Sequence, residues 1–221
     1  MDIKPIQSLR VQDSVYEELL KAILSGRISP GEMITLEGLA KLMDVSVMPV
    51  RVALQKLEAG GFVTIGKNRR IQVTELTPEN LLEIQNIRLM LECYAAEKAC
   101  RKRSEKSLKR LEELYHVCIE AEDEEAYLLV NREFHMTIYS EANMPILMEV
   151  IESLWNRFSP YLHILLRNER DFKAGDFHTS HQGMLEAMRN RNPKAMRKWV
   201  RTDLGKAAKL VKQRLETERK K

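Results

Sequence analysis

Two histidines, an aspartate and an asparagine stand in this chain where aliphatic residues would be expected. Asn131 and His135 lie about one helical turn apart in the row Leu128, Asn131, Phe134, His135, Ile138, so their side chains project to the same side. His181 shares a row with Phe177, Met184, Leu185 and Met188, and Asp203 shares one with Met196, Trp199, Val200 and Ala207. Buried polar side chains need partners, and the economical arrangement has these four meet. Two imidazoles, a carboxylate and an amide oxygen around a common point form a donor set for a divalent ion. Zn²⁺ is expected first, with Ni²⁺ or Mn²⁺ as alternatives. The competing reading is a metal-free pocket in which the same residues hydrogen-bond an organic effector directly. Taken singly, each histidine is more simply a hydrogen-bonded core residue; several inward polar groups on separate helices favour a site.

Three further residues are candidates for holding such an effector. Arg88 lies about one turn from both Ile84 and Leu91, at the edge of an apolar stripe. An inward guanidinium there would receive a carboxylate; the blander alternative is a surface ion pair with Glu92, four residues on. His163, within Leu162 to Leu166, and His178, three before His181, are the other two.

A different chemistry is written into Val45 to Val63. Ser46 can cap a helix, Pro49 falls in its first turn where a missing N–H costs nothing, and Gly60-Gly61 ends it. Val50, Leu54 and Leu57 would face a core, whereas Arg51, Gln55 and Lys56 point away. A shorter amphipathic segment, Leu36 to Met43, precedes it across a tight Asp44-Val45 turn. Short extended stretches, Phe62 to Ile65 and Ile71 to Val73, flank a polar tip after it. Helix, turn, helix, wing is the order of a winged helix-turn-helix that reads duplex DNA. Ser14 is expected to cap a preceding helix bearing Val15, Leu19, Leu20, Ile23 and Leu24, behind a loose arm.

Thr77-Pro78-Glu79 supplies a cap, an N1 proline and an early acid, placing a boundary near residue 76. Beyond it, periodicity and breakers predict helices near 78–102, 105–122, 124–141, 145–167, 171–190 and 193–217. The expected fold is mainly α: a winged helix-turn-helix of three helices and a two-stranded wing in residues 1–76, then an all-α six-helix bundle in 77–221. The 221 residues suffice for two such cores, and the net charge of +4 is no footprint by itself. Residues 1–77 carry ten basic against nine acidic side chains, so any basic patch must be local, at Arg51, Lys56, Lys67, Arg69 and Arg70. Cys93, Cys100 and Cys118 lack the close spacing of a zinc knuckle or redox pair and read as reduced, apolar packing residues. With no signal-peptide pattern and no membrane-spanning apolar run, a cytoplasmic protein is expected.

The residues Ser46, Pro49, Val50, Arg51, Ala53, Leu54, Leu57 and Gly61, with Gly26, Pro30-Gly31 and Leu39-Ala40 upstream, resemble the signature of the GntR family of bacterial transcription regulators. The resemblance implies that Ser46 and Arg51 touch DNA in the major groove, and that the wing tip, Lys67, Asn68, Arg69 and Arg70, reaches the backbone or minor groove. Val47 and Met48 stand where many relatives carry Arg and Thr, leaving only apolar contacts such as to a thymine methyl. Arg70 replaces a common wing glycine. The second half resembles the FCD effector domain of the FadR branch in its shorter six-helix form. That likeness rests on Arg88-x-x-Leu91-Glu92, Asn131-x-x-Phe134-His135, and His181 followed by Leu185-Glu186-Ala187. Many such domains bind a metal through an Asp-x-x-x-His pair and two later histidines. Here Asn131 takes the Asp place and Asp203 the last His place.

The function expected is a transcription regulator, and the family resemblance implies a repressor. It acts as a homodimer on a double-stranded operator, and a small, carboxylate-bearing metabolite shifts the operator affinity. The rival class is a metal-dependent hydrolase with an accessory winged domain, in which an open-coordinated ion activates water. No separate general base or nucleophile constellation supports it.

Overall fold

The computed structural model describes residues 8–66, 70–75, 77–121, 124–166 and 175–218. It divides into two compact units, Met1–Leu76 with Asn156–His163, and Thr77–Trp155 with Ile164–Lys221.

In the first unit, α1 spans Ser8–Leu24, α2 Leu36–Leu42 and α3 Val47–Ala59. Helix α1 begins upstream of Ser14, which lies inside it rather than capping it, so part of the expected arm is helical. Asp44 takes a left-handed backbone with φ of 51° between α2 and α3, a conformation that a short polar side chain tolerates in a tight turn. At the end of α3, Gly61 rather than Gly60 adopts the positive φ, 77°. The strands are β1 (Met33–Ile34), β2 (Val63–Ile65) and β3 (Ile71–Val73). They form an antiparallel sheet in the order β1-β3-β2, with Ile34 opposite Ile71 and Thr64 opposite Gln72. The expected two-stranded wing thus gains a third, two-residue strand. Val50, Leu54 and Leu57 of α3 are fully buried against Val15, Leu19, Leu39 and Phe62, so one face of α3 is consumed by the core and the other is left outward.

The second unit is helical throughout its described residues. Its helices are α4 (Pro78–Lys102), α5 (Glu105–Glu120), α6 (Glu124–Ser140), α8 (Gly175–Arg189) and α9 (Pro193–Glu218), with α7 (Pro145–Leu166) apart from its residues 156–163, which are grouped with the first unit. Thr77 caps α4 by accepting from Asn80 N at 3.2 Å, and Ser104 caps α5 by accepting from Ser107 N at 3.1 Å. Helix α4 lies against α9, and α9 against α8. Ala95, Ala96 and Ala99 permit the close approach of α4. Where α8 meets α9, the face of Gly183 is filled by the Trp199 indole, leaving no room for a Cβ. At the end of α8, Arg103 Nε donates to Met188 O at 2.8 Å, which also accepts from Arg191 N, and Arg103 Nη2 donates to Arg189 O at 3.2 Å. The three cysteines are free and buried. None of the described helices is long and apolar enough to cross a membrane.

Candidate metal centre and nucleic-acid interface

Three helices of the second unit each carry one polar group into the core. His135 and His181 are fully buried and Asp203 is 6% exposed. Their donor atoms lie within 4.8 Å of one another. His135 Nε2 is 3.3 Å from Asp203 Oδ2, and His181 Nε2 is 3.8 Å from Asp203 Oδ1. The first distance is short enough to bond, yet neither imidazole Nε2 nor Asp203 Oδ1 has a hydrogen bond of acceptable geometry. The atoms converge on a point between them rather than on each other.

Such buried orphans are costly. Donors about 2.0–2.1 Å from a tetrahedral ion stand roughly 3.4 Å apart; the 3.3 Å between His135 and Asp203 matches this, and the 3.8 Å between His181 and Asp203 is somewhat wider. The neutral imidazole nitrogens and the carboxylate therefore fit a divalent cation of the zinc type. Burial pushes the His181 pKa down to about 4, with Asp203 pulling the other way, so the ring is neutral at physiological pH. Burial alone would raise Asp203, but its contact with His135 and the neighbouring His181 and Arg88 outweigh that and hold it below the usual carboxylate value. Both states are those a metal requires. Asn131 is also buried, one turn before His135 on α6.

Each ring is held from behind. His135 Nδ1 is 3.0 Å from the Tyr139 hydroxyl, and His181 Nδ1 is 4.0 Å from Cys118 Sγ. Phe134 packs against His181 with centroids 4.8 Å apart, and Trp155 against His135 at 5.1 Å. Burial pushes the Cys118 thiol up to about 12.

Arg88 is buried, not at a surface edge, and it does pair with Glu92. Its Nε donates to Glu92 Oε1 at 2.6 Å, and its guanidinium stacks over Trp155 at 4.5 Å. Trp155 Nε1 donates to the other carboxylate oxygen at 3.0 Å. Glu92 is the partner the sequence offers for Arg88, whereas Tyr139 and Trp155 are not marked there, although His135 and Tyr139 share i, i+4 spacing on α6. Gln85, about one turn before Arg88, is buried with neither amide atom bonded. His178 is partly buried with Nε2 unpartnered; burial lowers its pKa, against a hydrogen bond to the Cys118 backbone. The His163 side chain lies outside the described residues.

In the first unit, Ser46 occupies the N-cap position of α3 in extended backbone but makes no capping bond. It is exposed, as are Met48, Arg51 and Gln55, with Val47 partly so. Arg51 makes no ion pair among the described residues. Lys56, expected in the basic patch, is instead tied to Asp13 at 2.7 Å. Arg70 is exposed, while Lys67, Asn68 and Arg69 lie outside the described residues.

Comparison with known proteins agrees with both halves. Residues 11–73 match the model of bacterial regulatory proteins of the gntR family, and residues 83–206 match the FCD domain. The HTH-type transcriptional regulator McbR of Escherichia coli is 34% identical over 154 residues, covering 68% of this chain and 70% of that one. The gluconate operon transcriptional repressor of Bacillus subtilis is 28% identical over 151 residues, 67% of this chain and 60% of that protein. The solved structure of E. coli McbR/YncC superposes with a TM-score of 0.80 at 28% identity, covering 92% of this chain and 97% of that one. These relatives are transcription regulators, which leaves the hydrolase alternative without support. A winged helix with an outward α3 face, joined to an FCD helical bundle, places this chain in the GntR family as a DNA-binding transcription regulator with an effector domain.

Proposed function

We propose that this regulator is a metal-assisted sensor of a small carboxylate, acting as a repressor that leaves its operator when the effector binds. The observation that carries the reading is the convergence of three unsatisfied donor atoms, His135 Nε2, His181 Nε2 and Asp203 Oδ1, inside an otherwise closed core. In this reading His135, His181 and Asp203 hold a divalent ion, zinc before nickel or manganese, with the Asn131 amide oxygen as a further ligand. The ion supplies a Lewis-acidic position for an effector carboxylate or hydroxyl. Arg88 and His178 are assigned to the effector, as is His163 from the sequence. Arg88 brings charge beside Trp155, and His178 brings a free ring nitrogen. The name of the B. subtilis relative, a gluconate operon repressor, fits a hydroxylated acid.

On the DNA side, Ser46, Val47, Met48 and Arg51 enter the major groove, and Lys67, Asn68, Arg69 and Arg70 contact phosphate or the minor groove. The uncapped Ser46 hydroxyl and the exposed Arg51 guanidinium support this assignment. Two copies are needed to span half-sites about one DNA turn apart, and the two units divide reading from sensing and pairing near residue 76. A metal-bound effector must favour one arrangement of the two heads to alter affinity.

The test selects an operator from random duplexes with wild-type protein and repeats the gel shift with Arg51→Ala. Loss of retention with an unchanged dimer on gel filtration is expected; undiminished binding rejects the assignment. Elemental analysis of wild type beside Asn131→Ala, His135→Ala and His181→Ala addresses the ion. Equal metal-free results in all four remove it from the mechanism.

A further inference from the structure

Tyr139 belongs to neither the ion-holding set nor the effector set, yet its hydroxyl is set against His135 of the first and, through Glu92, against Arg88 of the second. It is fully buried, one turn beyond His135 on α6, with its oxygen 3.0 Å from His135 Nδ1. On its other side stands Glu92, whose carboxylate is fixed by the Arg88 Nε at 2.6 Å and the Trp155 Nε1 at 3.0 Å. We propose that Tyr139 is a positioning residue: anchored by Glu92, its oxygen accepts the Nδ1 proton of His135 and so keeps His135 Nε2 bare and aimed at the ion. The inference rests on the metal reading above, but its main test does not.

The assignment follows from counting protons. Tyr139 has one, and two acceptors compete for it: a carboxylate and a neutral imidazole nitrogen. A phenol holds its proton at neutral pH, so that proton stays on Tyr139 and points to the anion, the stronger acceptor. The phenolic oxygen is then free only to accept, which requires the proton on His135 Nδ1. The opposite tautomer would place a proton on Nε2, facing Asp203 Oδ2 at 3.3 Å. That contact lacks hydrogen-bond geometry, for His135 Nε2 has no bonded partner. A proton placed there would meet Asp203 in poor geometry, whereas a lone pair there is aimed at the point shared with His181 and Asp203. A ligand imidazole whose other nitrogen donates to a fixed group is held in tautomer and orientation, and losing that group commonly costs about 10–100-fold in metal affinity. Among the described residues, what stands behind His181 Nδ1 is the weak Cys118 sulfur, 4.0 Å away, so the stiffening falls mainly on His135. Glu92 also holds Arg88, so the same carboxylate orients one residue assigned to the ion and one assigned to the effector.

The experiment uses the full chain, stripped of metal with chelator and labelled with ¹⁵N. Two-bond ¹H–¹⁵N spectra near neutral pH report which ring nitrogen of each histidine carries the proton, and the His135 signals are identified by their loss in His135→Gln. His135 is expected to be protonated at Nδ1 and bare at Nε2. In Tyr139→Phe, which keeps the ring and removes the hydroxyl, the proton should move to Nε2 and the Kd for zinc should rise about 10–100-fold. A wild-type His135 protonated at Nε2 overturns the proposal. So does a Tyr139→Phe protein whose tautomer and zinc affinity are unchanged. If that variant does not fold, the wild-type spectrum decides alone. If zinc binds neither protein, the metal reading fails while the tautomer result still stands or falls by itself.

Discussion

Acidification of the metal-free protein should reveal the cost of burying His181. The ring is fully enclosed, and burial lowers its pKa from 6.5 to about 4. Above pH 6.5 the ring is neutral in both folded and unfolded chains, so it adds no pH dependence. Between those two values the unfolded chain takes up a proton that the folded chain refuses, so stability falls as pH falls. Below about 4 the folded ring is protonated too and this contribution stops changing. A shift of roughly 2.5 units at 1.36 kcal/mol per unit is about 3 kcal/mol, a large part of the stability of an ordinary domain. Urea unfolding of chelator-treated protein from about pH 7 down to about pH 4.5 would measure it, with His181→Gln as the reference that cannot titrate. The wild-type curve should fall more steeply through this window, by most of that amount. Parallel curves would refute the reasoning, because they would mean that water or a partner stabilises the imidazolium inside the fold.

Other perturbations follow from the same packing. Glu92→Ala leaves the buried Arg88 guanidinium without its carboxylate and should cost about 3–5 kcal/mol, read as a lower urea midpoint; Arg88→Met combined with it should recover part of the loss. Gly183→Ala places a methyl against the Trp199 indole and should destabilise by about 1–3 kcal/mol in the same assay. The smaller Gly183→Ala, Trp199→Leu pair should unfold later than the single variant. Thr77→Ala removes the acceptor for Asn80 N and should cost about 1 kcal/mol by thermal unfolding, with no effect on zinc affinity.

Much of the helical framework was legible in the chain because amphipathic rows and caps are local signals. Thr77 with Pro78 marks the start of α4. The inward direction of His135, His181 and Asp203 was readable for a related reason, since each sits among apolar neighbours of the same periodicity. What escaped depends on contacts between distant residues or on elements too short to show a period. Strand β1 has two residues and no alternation to detect. The start of α1 was misplaced because Ser14 looks like a cap yet lies within a continuing helix. Lys56 resembled a free cation, but its partner Asp13 is forty-three residues away in sequence. The Arg88–Glu92 pair was readable from its i, i+4 spacing, but Tyr139 and Trp155 carried no recognisable pattern, because their meeting with Glu92 brings together three different helices.

The sensing role comes down to whether the buried imidazoles and carboxylate take up an ion. Zinc titrated into chelator-stripped protein, followed by calorimetry, tests it most directly, with His135→Ala and Asp203→Ala beside the exposed-ring control His116→Ala. One tight ion per chain is expected in wild type and in the His116 variant, and its loss or severe weakening in the other two. Absence of stoichiometric binding in wild type, or equal binding in all four proteins, would contradict the account.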